Sequence, residues 1–216
     1  MIIKSKAIVI KSFSYGESSL ISRVLIDNGQ KLSLIIKGAK SLKSNKSALF
    51  QSLNFIEIQY YQKDNREIQL FKEGYLIKSF RNVKKTFESM KYSLAMIDII
   101  DKVLPKDYQD IIMFEIMLQS LDQIEDNVNC KLIFIVFLIL FSHYNGYSIK
   151  DFDIDYLKSD TLTKIFSHSS GQQNEYLQLL QSINNIDSTN LIEKLLLFIR
   201  MHIPEIKNVK SLKFIN

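Results

Sequence analysis

The alternation of apolar and polar positions changes character near residue 80. Up to that point the period is close to two. The runs KAIVIKS (6–12), SLISRVLID (19–27), QKLSLIIK (30–37), NFIEIQYYQ (54–62) and EIQLFKEGYLI (67–77) are rich in β-branched and aromatic residues and are bounded by turn formers, which predicts five strands. The longest interval, 38–53, contains SALFQSL, a candidate short helix. Five strands with a helix between the third and fourth is the plan of an OB-fold barrel.

Beyond residue 80 the spacing turns helical. VKKTFESMKYSLAMIDIIDKVL (83–104) carries apolar positions at Phe87, Met90, Leu94, Ile97 and Ile100–Leu104 at helical spacing and is stopped by Pro105. YQDIIMFEIMLQSLDQI (108–124) and VNCKLIFIVFLILFSHYNG (128–146) predict two more helices, the second ended by Asn145-Gly146. Weaker helical patterns cover 159–168, 174–184 and 188–202. The expected class is α+β: a five-stranded OB barrel over 1–80, followed by an all-α helical domain over 81–216.

The run LIFIVFLILF (132–141) is ten apolar residues, about half of what a bilayer requires, and Lys131 and His143 bracket it. It reads as a fully buried helix. With no secretory signal in MIIKSKAIVIKS, a cytoplasmic protein is expected.

Asn28-Gly29 suggests a two-residue hairpin turn, which pairs positions whose numbers sum to 57. One face then holds Ile21, Leu25, Leu32, Leu34 and Ile36 as core. The other holds Ser22, Val24, Lys31, Ser33, Ile35 and Lys37. Arg23 falls on the core face, so either it reaches out at the barrel rim or the register is off by one.

Charge sharpens the division. Residues 1–80 contain 13 Lys+Arg against 6 Asp+Glu, whereas 81–216 contain 15 against 17. The positive excess therefore sits in the first unit, which suits a polyanion or an acidic protein partner. Within IIKGAKSLKSNK, Lys37, Lys40, Lys43 and Lys46 follow the third strand with no acid among them. Composition alone allows a solvated loop; a phosphate-binding surface is the other reading.

An OB barrel binds nucleic acid across strands two and three, between the loops joining strands one–two and four–five. Here those positions supply Lys31 and Lys37 from strand three, Phe13 and Tyr15 from FSYGES, and Lys63 and Arg66 from QKDNRE. Cations neutralise phosphates and flat rings stack on bases. Phe13 and Tyr15 could equally plug the barrel end.

Other chemistry is poorly supported. One cysteine, Cys130, rules out an intramolecular disulfide and a multi-thiolate zinc site. His143, His168 and His202 lack ligand spacing. DFDID (151–155) opens like a calcium loop but has Tyr156 where glycine is needed and Leu162 where glutamate is needed. IKGAKS lacks the spacing of a phosphate-binding P-loop. No catalytic constellation is legible, acidic pairs such as Glu125-Asp126 read as solvated helix ends, and no enzyme activity, metal or cofactor is expected.

The segment KAIVIKSFSYGESSLISRVLIDNGQKLSLIIKGAKSLKS resembles the opening of RecO, the bacterial recombination mediator family. YGESSLI, the hairpin and KGAKSLKS come in the family's order. LNFIEIQYYQKDNREIQLFKEGYLIKSF resembles its fourth and fifth strands, and FIRMHIPEIKNVKSLKFI its closing element. The resemblance implies DNA repair and recombination through binding of single- and double-stranded DNA and annealing of complementary strands. It also implies a complex with RecR, recognition of the acidic tail of single-strand-binding protein, indirect assistance to RecA, and a nucleoid-associated location. Many relatives carry a four-cysteine zinc module after the long buried helix; GYSIKDFDIDYLKSDTLTKIFSHSSGQQ has no cysteine, so a zinc-less variant is expected. The closing lysines, Lys207, Lys210 and Lys213, read either as part of a tail-binding rim or as an exposed chain end. A protein-interaction adaptor whose basic barrel docks acidic partners is the alternative function.

Overall fold

In the computed structural model, residues 1–41, 44–106, 109–147, 178–179, 181, 183 and 188–215 are described. Five strands form a closed barrel: β1 (Ile2–Tyr15), β2 (Ser19–Ile26), β3 (Lys31–Ile36), β4 (Phe55–Tyr61) and β5 (Ile68–Lys78). Around the barrel the order is β1-β2-β3-β5-β4. All neighbours are antiparallel except β3 and β5, which run parallel over Ser33–Ile35. A one-turn helix, α1 (Lys46–Leu49), lies between β3 and β4. This is the OB-fold connectivity.

The interior is built by alternation. Val24 and Ile26, Leu32, Leu34 and Ile36, and Ile56, Ile58 and Tyr60 join Ala7 and Val9 in one buried cluster. Phe50, just after α1, packs into it. Its ring is almost fully buried and meets Phe71 edge-on at 5.0 Å. Burying such a ring stabilises by about 1.5–3 kcal/mol. The backbone just before Phe50 is satisfied by Asn54, whose Nδ2 donates to the carbonyls of Ala48 and Leu49, both at 3.0 Å.

The β2–β3 register differs from the sequence expectation. Leu20 pairs with Ile36, Ser22 with Leu34 and Val24 with Leu32, so paired numbers sum to 56. The cause is the turn. Ile26 N–H donates to Gln30 O at 2.9 Å and Gly29 N–H donates to Ile26 O at 2.8 Å, leaving three residues, Asp27, Asn28 and Gly29, in the loop. Gly29 adopts φ +84°, as a three-residue hairpin requires of its last position. One extra loop residue moves every β2 side chain to the opposite face. Ser22 and Val24 therefore point inward, and Arg23 belongs to the exterior rather than the core face.

The chain divides into two compact units, Met1–Arg81 with Leu104–Glu115, and Asn82–Val103 with Ile116–Asn216. In the first, the segment 104–115 returns to the barrel. Phe114 meets Phe55 at 6.1 Å between ring centroids. A side chain at Gly29 would collide with the backbone of Asp110, so this position is closed by packing as well as by φ.

In the second unit, the described helices are α2 (Phe87–Val103), α3 (Ile111–Glu125, whose first residues belong to the first unit), α4 (Cys130–Tyr144) and α5 (Ser188–His202), followed by 3₁₀ turns at Pro204–Asn208 and Lys210–Phe214. Every residue of α4 from Leu132 to Ser142 is buried, as the apolar run required. Asn129 Oδ1 accepts the Lys131 N–H at 3.0 Å at its start, and Gly146, φ +84°, sits at its end with Tyr147 N–H reaching Ser142 O at 2.9 Å. Ser211 Oγ donates to Asp98 Oδ2 at 2.9 Å, tying the closing turn to α2. Among the described residues, no helix is long and apolar enough to cross a membrane.

Glu125 is not merely a solvated helix end. Its carboxylate accepts the backbone N–H groups of Asn82 and Val83 at 2.9 and 3.2 Å, and its carbonyl accepts Asn82 Nδ2 at 2.8 Å. The expected helices at 159–168 and most of 174–184 lie outside the described residues, as do DFDID and His168.

Candidate nucleic-acid interface on the barrel

The outer face of β2 and β3 opens into a groove of about 570 Å³. Arg23 and Lys31 border it from the sheet, Phe13 from β1, Lys63 and Arg66 from the β4–β5 loop, and Lys106 from the segment that returns to the barrel. Five cations from four separate stretches of chain thus surround one concavity. Its acids are Asp64 and Glu67, and Glu67 pairs with Lys106 at 3.6 Å with both side chains largely exposed. An ion pair so exposed is weak and gives way readily to another anion.

The strand-borne positions follow from local structure. Arg23 faces the groove because the three-residue turn sets the register. Phe13 is a strand residue, not a loop residue: β1 continues to Tyr15, and its register shifts between Val9 and Lys11. Beyond that shift Ser12 turns inward, donating to Phe50 O at 2.8 Å, while Phe13 alternates outward. Phe13 and Tyr15 are 49% and 53% exposed, so neither is buried in the barrel core, whereas Phe50 is. Lys31 has a structural engagement as well, its Nζ donating to Leu104 O.

The lysine run is held differently. Lys37 follows the far end of β3. Lys40 Nζ donates to Gly16 O at 2.9 Å, and its backbone N–H to Ser18 O at 3.0 Å, joining this stretch to the β1–β2 turn. Lys46 Nζ donates to Lys37 O at 3.4 Å. Lys40 and Lys46 thus use carbonyl oxygens rather than carboxylates. Lys46 borders a second cleft, about 740 Å³, together with Leu49, Tyr75 and Leu76. Lys43 lies outside the described residues.

Of the residues singled out by sequence, the structure therefore brings Phe13, Lys31, Lys63 and Arg66 together and leaves Tyr15, Lys37, Lys40 and Lys46 off the groove lining. Sequence reasoning missed Arg23 and Lys106. A correct turn length would have found Arg23. No local pattern marks Lys106, because only tertiary packing carries it to the barrel.

Elsewhere the chemistry is quiet. Among the described residues, no group of three or more His, Cys, Asp and Glu side chains is arranged to hold a metal ion. Burial pushes the Cys130 thiol above its ordinary value, and nearby Glu88 adds to this, which is the reverse of what a nucleophilic cysteine needs. His202 is satisfied locally, with Nδ1 2.9 Å from Phe198 O and its ring packed on Phe198. Lys207, Lys210 and Lys213 are exposed on the closing 3₁₀ turns.

A closed five-stranded barrel with this connectivity, followed by helices, makes the chain an OB-fold protein with a C-terminal helical region. Residues 1–80 match the family model described as "Recombination protein O N terminal". Over its barrel the chain is thus similar to RecO proteins. It is 28% identical over 148 residues to a protein of Pelodictyon phaeoclathratiforme named "DNA repair protein RecO", a match covering 68% of this chain and 57% of the relative. Proteins of the same name from Chlorobium limicola and Bacillus pumilus are 30% and 26% identical, over 64% and 63% of this chain and 54% and 52% of theirs. The matched stretch thus spans about half the length of these relatives.

Proposed function

We propose that this chain is a non-enzymatic mediator of DNA repair and recombination that grips single strands on its barrel and promotes their pairing. One observation carries the reading: the groove on the outer face of β2 and β3 brings Arg23, Lys31, Lys63, Arg66 and Lys106 together, with the half-exposed Phe13 of β1 also on its lining. The names of the RecO relatives support the repair role.

A single strand lying along β2 and β3 would meet cations along the groove and the flat ring of Phe13 on its β1 side. Phosphate charge is then neutralised without sequence preference, while a base stacked on Phe13 keeps its pairing edge outward. Annealing needs both conditions: strand repulsion removed and pairing edges free. The proposed site comprises Phe13, Arg23, Lys31, Lys63, Arg66 and Lys106, with Tyr15, Lys37, Lys40, Lys43 and Lys46 as further contributors by sequence. Lys31 contributes chiefly field strength, since its ammonium also serves the Leu104 carbonyl. Double-stranded DNA, RecR, the acidic tail of single-strand-binding protein and, indirectly, RecA belong to the same proposal through the family resemblance.

The test is an annealing assay with complementary oligonucleotides, comparing wild type with an Arg23→Glu, Lys63→Glu, Arg66→Glu variant and with a charge-reversed Lys37, Lys40, Lys43, Lys46 variant. Faster pairing by wild type, lost in the groove variant, supports the reading. No acceleration by wild type defeats it and leaves the adaptor function. Acceleration that survives both variants defeats the site.

A further inference from the structure

The β4–β5 loop owes its shape to one side chain. Gln69, 7% exposed near the start of β5, turns its amide onto the loop backbone. Its Oε1 accepts the Lys63 N–H at 2.9 Å, and its Nε2 donates to Lys63 O at 3.0 Å and Arg66 O at 2.6 Å. Both amide hydrogens and the carbonyl are therefore used, and all three bonds end on the two residues whose cationic side chains border the groove. Arg66 N–H also donates to Lys63 O at 3.1 Å, closing the turn between them.

We infer that Gln69 is a positioning residue for the proposed DNA groove: its amide presets the 63–66 loop so that Lys63 and Arg66 stand at the groove before any strand arrives. The inference rests on the DNA-binding reading of that groove. The physical gain is preorganisation. A loop ordered in advance does not charge its ordering entropy against binding, whereas an unclasped loop of the same composition must be fixed as the strand docks. Glutamate at this position keeps the size and shape but cannot donate when ionised. It would also face the Lys63 and Arg66 carbonyls with a negative charge, so the isosteric change opens the clasp while adding no bulk.

The experiment uses the full chain and a thymidine oligonucleotide of about twenty nucleotides, which suits the site sizes of OB folds. Binding is measured for wild type, Gln69→Glu, Lys63→Ala/Arg66→Ala, and the combination of all three. Backbone hydrogen exchange at Lys63 reports the clasp directly. The expected result is faster exchange at Lys63 in Gln69→Glu and about fivefold weaker binding. In the Lys63→Ala/Arg66→Ala background the same change should cost nothing further, because there is no cation left to position.

Two results would overturn the inference while leaving the DNA reading intact. One is fast exchange at Lys63 with unchanged affinity; the other is an equal loss in both backgrounds, which would mean that Gln69 acts through the barrel at large. A wild type that ignores the oligonucleotide, or a Lys63→Ala/Arg66→Ala variant that binds as wild type does, removes the parent reading of these side chains and this inference with it. If Gln69→Glu fails to fold, Gln69→Met, similar in length but without the polar contacts, serves in its place with the same outcomes.

Discussion

At one end of β3, Lys31 joins Arg23, Lys63, Arg66 and Lys106 around a concavity; at the other, Lys37, Lys40 and Lys46 come from one continuous stretch of chain. The second group is the conspicuous one in the sequence, yet two of its ammonium groups are occupied with carbonyl oxygens of the turns they help to hold. The first group is inconspicuous because its members are far apart in number. The contrast teaches that charge density along a chain and charge density in space are separate quantities, and a flexible polyanion responds to the second.

The largest effect should separate these two regions directly. Reversing Arg23, Lys63 and Arg66 to glutamate is expected to weaken oligonucleotide binding about 100-fold at low salt, and fluorescence anisotropy titration measures it. Its slope of log affinity against log salt should also fall in magnitude, by roughly 0.7 for each single-strand phosphate no longer neutralised. Next, Phe13→Ala is expected to weaken single-strand binding about tenfold while leaving duplex affinity nearly unchanged, since paired bases offer no face to stack on. An equal loss on duplex would mean the ring shapes the groove rather than touching bases. Reversing Lys37, Lys40 and Lys46 should cost less, about threefold to tenfold, because these cations lie off the groove. If this variant loses more than the groove variant, the ranking of the two regions is inverted.

The smallest effect uses a third part of the barrel, an ion pair away from both cationic regions. Lys4 Nζ lies 2.6 Å from Glu57 Oε1, and this bond, with a hydrogen bond from Tyr75, holds the Glu57 carboxyl below its usual 4.5. A folded-state value below the unfolded one contributes stability that is present above the unfolded value and is lost as pH falls through the folded one. The Lys4 side chain is largely exposed, so the contribution is slight. Glu57→Gln should therefore flatten the acid limb of the stability profile a little, read as urea midpoints at neutral pH and near pH ~3. Oligonucleotide affinity at neutral pH should not change.

Much of the architecture was legible because the signals that set it are local. Alternation in β1 to β5, the helical spacing of Phe87 to Ile97 and the apolar block of α4 each fix an element without reference to the rest of the chain. The β2–β3 register was not fixed in that way. Asn28-Gly29 suits both a two-residue and a three-residue turn, and the choice lies in which carbonyl Gly29 N–H reaches. Arg23 followed that choice from core to surface. Lys106 and Glu125 were harder still, since the partners of each come from elsewhere in the chain. The candidate site was thus half visible: the strand-borne and loop-borne cations could be placed by topology, while the contribution of the returning segment could not.

That returning segment also bears on how the molecule is made. The barrel strands leave the ribosome first, but Phe55 cannot meet Phe114 until the whole of α2 has been synthesised in between. At about 5–20 residues per second the interval lasts several seconds. Through that time the nascent barrel shows an aromatic ring to its surroundings, and Lys31 has yet to meet the carbonyl it serves in the finished protein.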